Sequence, residues 1–524
     1  MFGEPYLAAC SANFVPLTPL SFLRRALEIH SDQPALVWRD LRWNYREFGN
    51  LVFRMASWLK KQGVRPGDVV SVILNNRPEM LAAHFAVPGI GAVLNTVNTR
   101  LNAAEISYIL EHAGSRLMIA DGTTVGQLSD SSIPVFRLCD APSDGTGLDF
   151  FYGQFDEQDM RLEVGEETGP ISLNYTSGTT GNPKGVVYTH RGAYLNALGN
   201  VIAAGFTSQT RYLWTLPMFH CNGWTHTWAV TAAGGVHVCL DKVDPQLIVD
   251  TIGREQVTDM SCAPVVLYML LDHMKEPAPG RVRVGTGGAA PTPTLLSGLE
   301  KLGFNLVHLY GLTETYGPVT MNDPIFDPDL ALAERSKILA RQGFRHETTG
   351  QVRVVDELGT DVPCDGVTIG EVAVRGNTLM AGYFRDPDAT EAALKDGYFR
   401  TGDLAVVHPD RALEIQDRAK DIIISGGENF SSLEVETILH QHPDILIAAV
   451  VAAPDPKWGE TAWAFVEAKN GRTPDPKSLE EFCRSRLAGF KRPRKFVFGT
   501  LPKTATGKIQ KFALRDRVKE MASE

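Results

Sequence analysis

A chain of 524 residues with a formal net charge of -10, 44% hydrophobic and 21% charged residues, is too long for one ordinary core and is expected to divide into roughly two to four structural units. Its apolar content excludes a disordered or fibrous chain, and its acidic balance argues against a surface given over to nucleic acid or to an anionic membrane. Seven cysteines, scattered, odd in number and without a CxxC pair, exclude a zinc or disulfide framework and point to a reducing compartment.

The N-terminus has no basic segment followed by an apolar one, and Glu4 stands where a signal peptide disfavours charge. The apolar run 80–94 is broken by His84, Pro88, Gly89 and Gly91, which reads as a buried helix turning into a strand, not a membrane span. A cytoplasmic enzyme without an integral membrane segment is expected. In chain order, residues 22–27 have helical spacing and 34–38 are strand-like. Residues 45–61 then place Phe48, Leu51, Val52, Met55, Ala56 and Leu59 on one helical face. A continuous apolar strand at 69–74, a helix from about Pro78, a helix at 103–113 and a strand at 117–120 follow. Short apolar strands between amphipathic helices predict mostly parallel sheets covered on both faces, and the acidic stretch 140–167 reads as surface loop.

The stretch Tyr175-Thr176-Ser177-Gly178-Thr179-Thr180-Gly181-Asn182-Pro183-Lys184-Gly185 lies between two strand-like runs, 171–175 and 186–189. Its glycines let backbone N–H groups approach an anion, its hydroxyls donate hydrogen bonds, and Lys184 supplies a positive charge, so it reads as a phosphate-cradling loop. It is not a Walker A loop, because Gly185 follows Lys184 where that motif needs Ser or Thr and then a helix. A helix from about Arg191 and a strand at 212–217 lead into Met218-Phe219-His220-Cys221-Asn222-Gly223-Trp224, where an aromatic face and a titratable group meet backbone room in a candidate pocket wall. The strand 283–285 runs into Thr286-Gly287-Gly288-Ala289-Ala290-Pro291, and the strand 306–310 runs into Gly311-Leu312-Thr313-Glu314-Thr315. On its own the latter is also a helix start with Thr313 as N-cap. Short strands and frequent turns over 366–415 predict a β-rich subdomain containing Thr401-Gly402-Asp403. Asp417-Arg418-Ala419-Lys420-Asp421 then opens a compact unit with Ser425-Gly426-Gly427, a helix at 432–440, a strand at 445–452, the basic run 491–495 and the tail Thr504-Ala505-Thr506-Gly507-Lys508.

In this order the motifs resemble those of the acyl-adenylate-forming ligases, the superfamily of acyl-CoA synthetases, peptide-synthetase adenylation domains and luciferases. The resemblance runs over essentially the whole chain and is nearest in style to ligases of short-to-medium-chain, thioether-containing or aromatic acids. It implies an α/β fold with a large multi-sheet N-terminal domain at 1–416 carrying the β-rich subdomain, a hinge at 417–420, and a small mobile α+β lid at 421–524. It also implies a two-step reaction: a carboxylate and ATP give acyl-AMP and pyrophosphate, and CoA then takes the acyl group as a thioester.

Carried over residue by residue, the resemblance gives phosphate contacts to Thr176, Ser177, Gly178, Thr179, Thr180 and Lys184. Nucleotide contacts fall to Gly288, Ala289, Tyr310, Gly311, Thr313 and Arg418, and the ribose hydroxyls to Asp403. Glu314 with Thr176 would hold Mg2+, and Lys508 would neutralise charge between carboxylate and α-phosphate, so Lys508, Thr176, Glu314 and His220 are the candidate catalytic residues. His220, Gly223, Trp224 and Gly287 would line the acyl pocket. Lys420, where many relatives carry Asp, would be the hinge, and Ser425, Gly426, Gly427 and Lys491 would meet CoA. The chain ends at Glu524 without a carrier domain, which favours free CoA as acceptor. A carrier-loading ligase, a phosphotransferase and a nucleotide-binding protein without turnover stay open, as does a homodimer.

Overall fold

The computed structural model describes residues 5–121, 132–138, 155–176, 183–287, 293–324, 329–469, 472, 474–503 and 509–523. Among these, two large sheets and the helices around them make up most of the chain. In the nine-stranded sheet the central strands Phe304–Leu312, Val282–Gly287, Asp259–Cys262, Arg211–Leu213, Val236–Cys239 and Pro34–Trp38 run parallel. Antiparallel strands Gly317–Asn322 and Phe344–Arg345 close one edge, and Leu41–Asn44 closes the other. The seven-stranded sheet takes Val135–Leu138, Ser115–Asp121, Val69–Ile73, Val93–Thr96 and Pro170–Tyr175 in parallel, then Gly185–Thr189 and Gly382–Tyr383 antiparallel.

The expected alternation of parallel strands and helices is therefore present, and its local causes are legible. Helix Tyr45–Lys61 starts on a capping box, with Asn44 accepting from the Glu47 N–H and Glu47 from that of Asn44, and it ends on Lys60 and Lys61, where cations suit the dipole. Helix Ala103–Ala113 repeats the box with Asn102 and Glu105 and stops at Gly114, whose φ of 64° suits glycine. Helix Pro78–Gly89 is buried along its whole length and sits in the largest core cluster, which draws Val70 and Val72 from one sheet and Leu36 and Tyr212 from the other. No described helix is long and apolar enough to cross a membrane.

The strand expected at 212–217 stops at Leu213. Beyond it the Asn76 amide donates to the carbonyls of Trp214 and Leu216 at 2.8 and 2.9 Å, so a side chain replaces the ladder and turns the backbone toward 218–224. The expected β-rich subdomain is a four-stranded antiparallel sheet of Gln351–Val355, Gly370–Arg375, Phe399–Val407 and Leu413–Arg418. The C-terminal unit has its own sheet, in which Ile445–Asp455 pairs with Gly459–Ala468, and helices Ser432–Leu439 and Lys511–Ser523 cover it.

Several buried histidines pack neutral. His84 lies against the Met80 carbonyl at 2.7 Å, His226 against the Tyr212 hydroxyl at 2.8 Å, and His237 between Trp214 and Thr231 at 3.1 and 3.0 Å. Burial pulls His84 down to about 4 and His226 and His237 to about 3. The unfolded chain binds these protons below about pH 6.5 and the native chain does not, so stability falls as pH falls through that window, by about 1.4 kcal/mol per pH unit for each such group. Calorimetry from pH 7 to 4 is expected to show a steep fall in Tm beginning near pH 6.5. A Tm flat down to pH 4.5 would contradict it.

Candidate active site

Tyr310, Gly311, Thr313 and Glu314 stand at the end of strand Phe304–Leu312. There a β-bulge follows Tyr310, and the chain enters a short 3-10 turn, Thr313–Thr315, that runs into Gly317–Asn322. Thr313 is not the cap of a helix. The Thr315 hydroxyl takes that place, accepting from the Leu312 N–H at 2.8 Å and donating to the Gly317 carbonyl at 2.7 Å. Gly311 is compelled, since a Cβ there would stand 2.0 Å from the Gly317 oxygen.

From this turn three side chains point to three different partners. The Tyr310 hydroxyl donates to Asp403 Oδ2 at 2.8 Å, and the Arg418 guanidinium lies 3.1 Å from Asp403 Oδ1. Asp403 and Arg418 face each other across strands Phe399–Val407 and Leu413–Arg418. Burial, then the Asp403 charge, holds the Tyr310 phenol well above its ordinary value, so it remains a donor. Thr313 accepts from the Cys221 thiol at 3.7 Å, and its carbonyl accepts from Tyr188 at 2.6 Å. Burial pushes the Cys221 thiol up to about 12, which makes it a packed neutral group and not a nucleophile. Glu314 Oε1 accepts from the Tyr383 hydroxyl at 2.8 Å, and burial, then the Glu314 charge, likewise raises the Tyr383 phenol.

Tyr383 also joins this carboxylate to the phosphate loop. Its ring lies beneath Lys184 Nζ at 4.9 Å, and Lys184 reaches Asp386 at 3.8 Å. The loop opens from a hairpin of Pro170–Tyr175 and Gly185–Thr189, closed by the Thr176 N–H donating to the Lys184 carbonyl at 3.0 Å. Ser177, Gly178, Thr179 and Thr180 lie outside the described residues, as do Gly288, Ala289 and Lys508.

The segment after His220 adopts an unusual backbone. Cys221, Asn222, Gly223, Trp224 and Thr225 all have positive φ, 46°, 44°, 59°, 52° and 61°, a left-handed turn in which each non-glycine residue costs roughly 1–2 kcal/mol. Buried polar contacts outweigh that cost. Asn222 Oδ1 accepts from Ser172 at 2.5 Å and from Tyr316 at 3.3 Å, while the Asn200 amide donates to the Trp224 carbonyl at 2.8 Å and to Thr225 Oγ1 at 2.9 Å. The turn places Trp224 against Gly317, and its indole Cη2 lies 3.8 Å from where a Gly287 Cβ would stand. Trp224 thus lies beside Gly287 and Gly317, and Cys221 joins His220 to Thr313, whereas Gly223 is packed against Trp214 and Met218 and not toward Gly287.

Of the C-terminal candidates, Lys420 feels the charges of Asp403 and Arg418. Lys420 follows Arg418 in the short helix Ala419–Asp421, and burial, then the charges of Arg418 and Arg515, draw its ammonium down to about 8. Ser425, Gly426 and Gly427 form a hairpin tip whose glycines have φ of 63° and 85°, a two-residue turn of the kind that favours glycine at both positions. Lys491 is paired with Glu434 at 2.7 Å. Sequence reasoning missed Tyr383, Tyr188 and Asn200, which carry no motif of their own, and gave no role to Asn222 within the segment 218–224.

The chain is similar to known proteins over nearly its whole length. Residues 23–384 match the family model AMP-binding enzyme, and residues 434–508 match AMP-binding enzyme C-terminal domain. The chain is 44% identical to the 2-methylpropanoate–CoA ligase CCL4 of Humulus lupulus over 98% of this chain and 97% of that one. It is 42% identical to the butyrate–CoA ligase AAE11, peroxisomal, of Arabidopsis thaliana over 98% and 95%. Among solved structures, o-succinylbenzoate CoA synthetase of Bacillus subtilis with ATP and magnesium ion superposes with a TM-score of 0.82 at 27% identity, covering 95% of this chain and 99% of that one. The chain belongs to the AMP-binding enzyme family, with a large N-terminal and a small C-terminal domain, and is an acid–thiol ligase of that family that forms acyl-AMP from ATP.

Because Tyr383 holds Glu314 by a hydrogen bond to a charged group, worth roughly 1.5–3 kcal/mol, Tyr383→Phe is expected to lower kcat by at least about tenfold while Tm moves by only a few degrees. An unchanged kcat would show that the bond does not position Glu314 for turnover.

Proposed function

We propose that this enzyme joins a short aliphatic carboxylic acid to CoA, with Mg2+ accompanying ATP. The observation that carries the reading is the divergence of Tyr310, Thr313 and Glu314 from one strand end. An aromatic face, a hydroxyl and a carboxylate held at fixed spacing suit adenine, α-phosphate and the triphosphate's cation.

A carboxylate does not react with a thiol at a useful rate, because oxide would be the leaving group. The substrate oxygen therefore attacks the α-phosphorus of ATP, the bond to the β,γ-diphosphate breaks, and acyl-AMP and pyrophosphate form. Asp403, fixed between Tyr310 and Arg418, accepts from the ribose hydroxyls. Thr176 and Thr313 donate to phosphate oxygens, with Ser177, Gly178, Thr179, Thr180, Lys184, Gly288 and Ala289 completing the nucleotide contacts and Lys508 offsetting the charge developing at the α-phosphate. The described residues contain no cluster of three or more His, Cys, Asp or Glu side chains that could hold a metal. A single carboxylate fits an ion that arrives on the triphosphate and keeps phosphate and water oxygens as its other ligands. Glu314 and Thr176 would hold that ion, which would screen the phosphate charge.

In the second step the CoA thiolate attacks the acyl carbon and AMP leaves. The reading places a hinge at 417–420, centred on Lys420, between an N-terminal domain at 1–416 and a lid at 421–524. Rotation there would bring Ser425, Gly426 and Gly427 to line a narrow path for the thiol, with Lys491 near the CoA phosphates.

A short acid is supported by the position of Trp224 beside Gly287, where the indole would limit the depth of the pocket, and by the acids named for the two plant relatives. A reducing compartment agrees with the six described cysteines, all free. The cytoplasm is the simplest such place, although several plant relatives are named as peroxisomal.

A panel of acetate, 2-methylpropanoate, butyrate, octanoate and benzoate with ATP, magnesium and CoA, read by mass spectrometry, tests the reading. AMP, pyrophosphate and a short-chain thioester are expected. ADP would overturn the reaction type, and preference for octanoate or benzoate the substrate class. Lys508→Ala is expected to lower acyl-AMP formation by at least about a hundredfold while leaving thioester formation from preformed acyl-AMP intact. Equal loss in both steps would contradict its role.

A further inference from the structure

The left-handed turn at 221–225 is held only in part by backbone hydrogen bonds of its own. Within it and its flanks the Gly223 N–H donates to the His220 carbonyl and the Thr225 N–H to the Asn222 carbonyl, and only one of its five residues is a glycine. Such a conformation persists only where surrounding groups over-determine it, and it collects at sites that bind ligands. Besides Gly287, Gly317 and His226, the polar groups that hold this segment come from helix His190–Ala204. Asn196 and Asn200, one turn apart on that helix and buried, are poor helix formers, and placing an amide in the interior costs free energy unless it is hydrogen-bonded. Asn196 donates to the Tyr316 carbonyl at 2.6 Å, fixing the strand entry against which Trp224 packs. Asn200 donates to Trp224 itself, at its carbonyl, and to the next residue's hydroxyl.

We propose that Asn200 is a specificity-positioning residue: by gripping the Trp224 carbonyl and the Thr225 hydroxyl it keeps the turn left-handed and the indole beside Gly287, and so sets how long an acid the enzyme accepts. The inference rests on the reading of Trp224 as a wall of the acyl pocket. Asn200 reaches the substrate only through Trp224. Without its two bonds the turn relaxes toward ordinary backbone, the indole leaves Gly287, and room opens for further methylenes. Each methylene admitted to an apolar pocket is worth roughly 10-fold or more in kcat/KM.

A double-mutant cycle with butyrate and hexanoate separates this from a structural role. Asn200→Ala is expected to raise the hexanoate-to-butyrate ratio of kcat/KM by at least about tenfold, with the KM for ATP unchanged. In a Trp224→Gly background, whose ratio is already raised, adding Asn200→Ala should move it by less than about twofold, because the two changes act through one indole. If Asn200→Ala does not fold, the near-isosteric Asn200→Asp turns an acceptor toward the same carbonyl and should give the same shift. A ratio moved by Trp224→Gly but by neither Asn200 variant overturns the inference and leaves the pocket reading standing. A ratio moved by none of them removes the pocket reading, and the inference with it. Equal loss on both acids with a lowered Tm in both backgrounds makes Asn200 a core residue only.

Discussion

The close approach of Gly311 to Gly317 is the contact on which the site depends. No side chain fits between these two backbones, so strand Phe304–Leu312 folds back on Gly317–Asn322 through a bulge and a single 3-10 turn. That one constraint aims Tyr310 at Asp403 and Glu314 at Tyr383, and presses Thr313 against Cys221. Gly317, with φ of 113°, is also the floor on which Trp224 rests. The positions of Tyr310, Thr313, Glu314 and Trp224 are thereby set by the geometry of one 3-10 turn, and rigid elements position such groups better than independent loops do.

Around this turn the fold breaks local rules and compensates for them with buried hydrogen bonds. Four non-glycine residues sit at positive φ in succession with Gly223. Polar side chains from the seven-stranded sheet close on them: Ser172 and Asn222 meet at 2.5 Å, and the Asn174 amide donates to Thr96 Oγ1 at 2.6 Å and to the Phe219 carbonyl at 3.0 Å. These contacts join the carboxyl end of strand Val93–Thr96 to the segment after His220. Carboxyl ends of parallel strands are where open α/β sheets bind ligands. Local strain offset by surrounding packing is expected at a functional site and is not expected in a purely structural core.

Much of this was legible in the sequence, because the signals were local. Apolar periodicity located helices Tyr45–Lys61 and Ala103–Ala113 and strand Pro34–Trp38, and motif order identified the strand end carrying Tyr310 and Glu314. Contacts made across the chain were not legible. Tyr383 lies 69 residues from Glu314, Asn200 lies 24 from Trp224, and Ser172 lies 50 from Asn222. No period or spacing relates those pairs, and an asparagine within a helix looks the same whether it faces water or a strained carbonyl. Thr313 resembled an N-cap because the residue type suits one. The neighbouring Thr315 caps the turn instead, since the bulge after Tyr310 turns the chain toward Gly317 before a helix can start.

The most direct test of the central constraint is acid-dependent exchange of labelled pyrophosphate into ATP by Gly311→Ala beside the unaltered enzyme, each checked for a cooperative melt. The account predicts exchange without CoA in the unaltered enzyme and a loss of at least about a hundredfold in the folded variant, because a methyl at this position displaces nucleotide and cation contacts together. A folded Gly311→Ala enzyme exchanging within about twofold of the unaltered rate would contradict it.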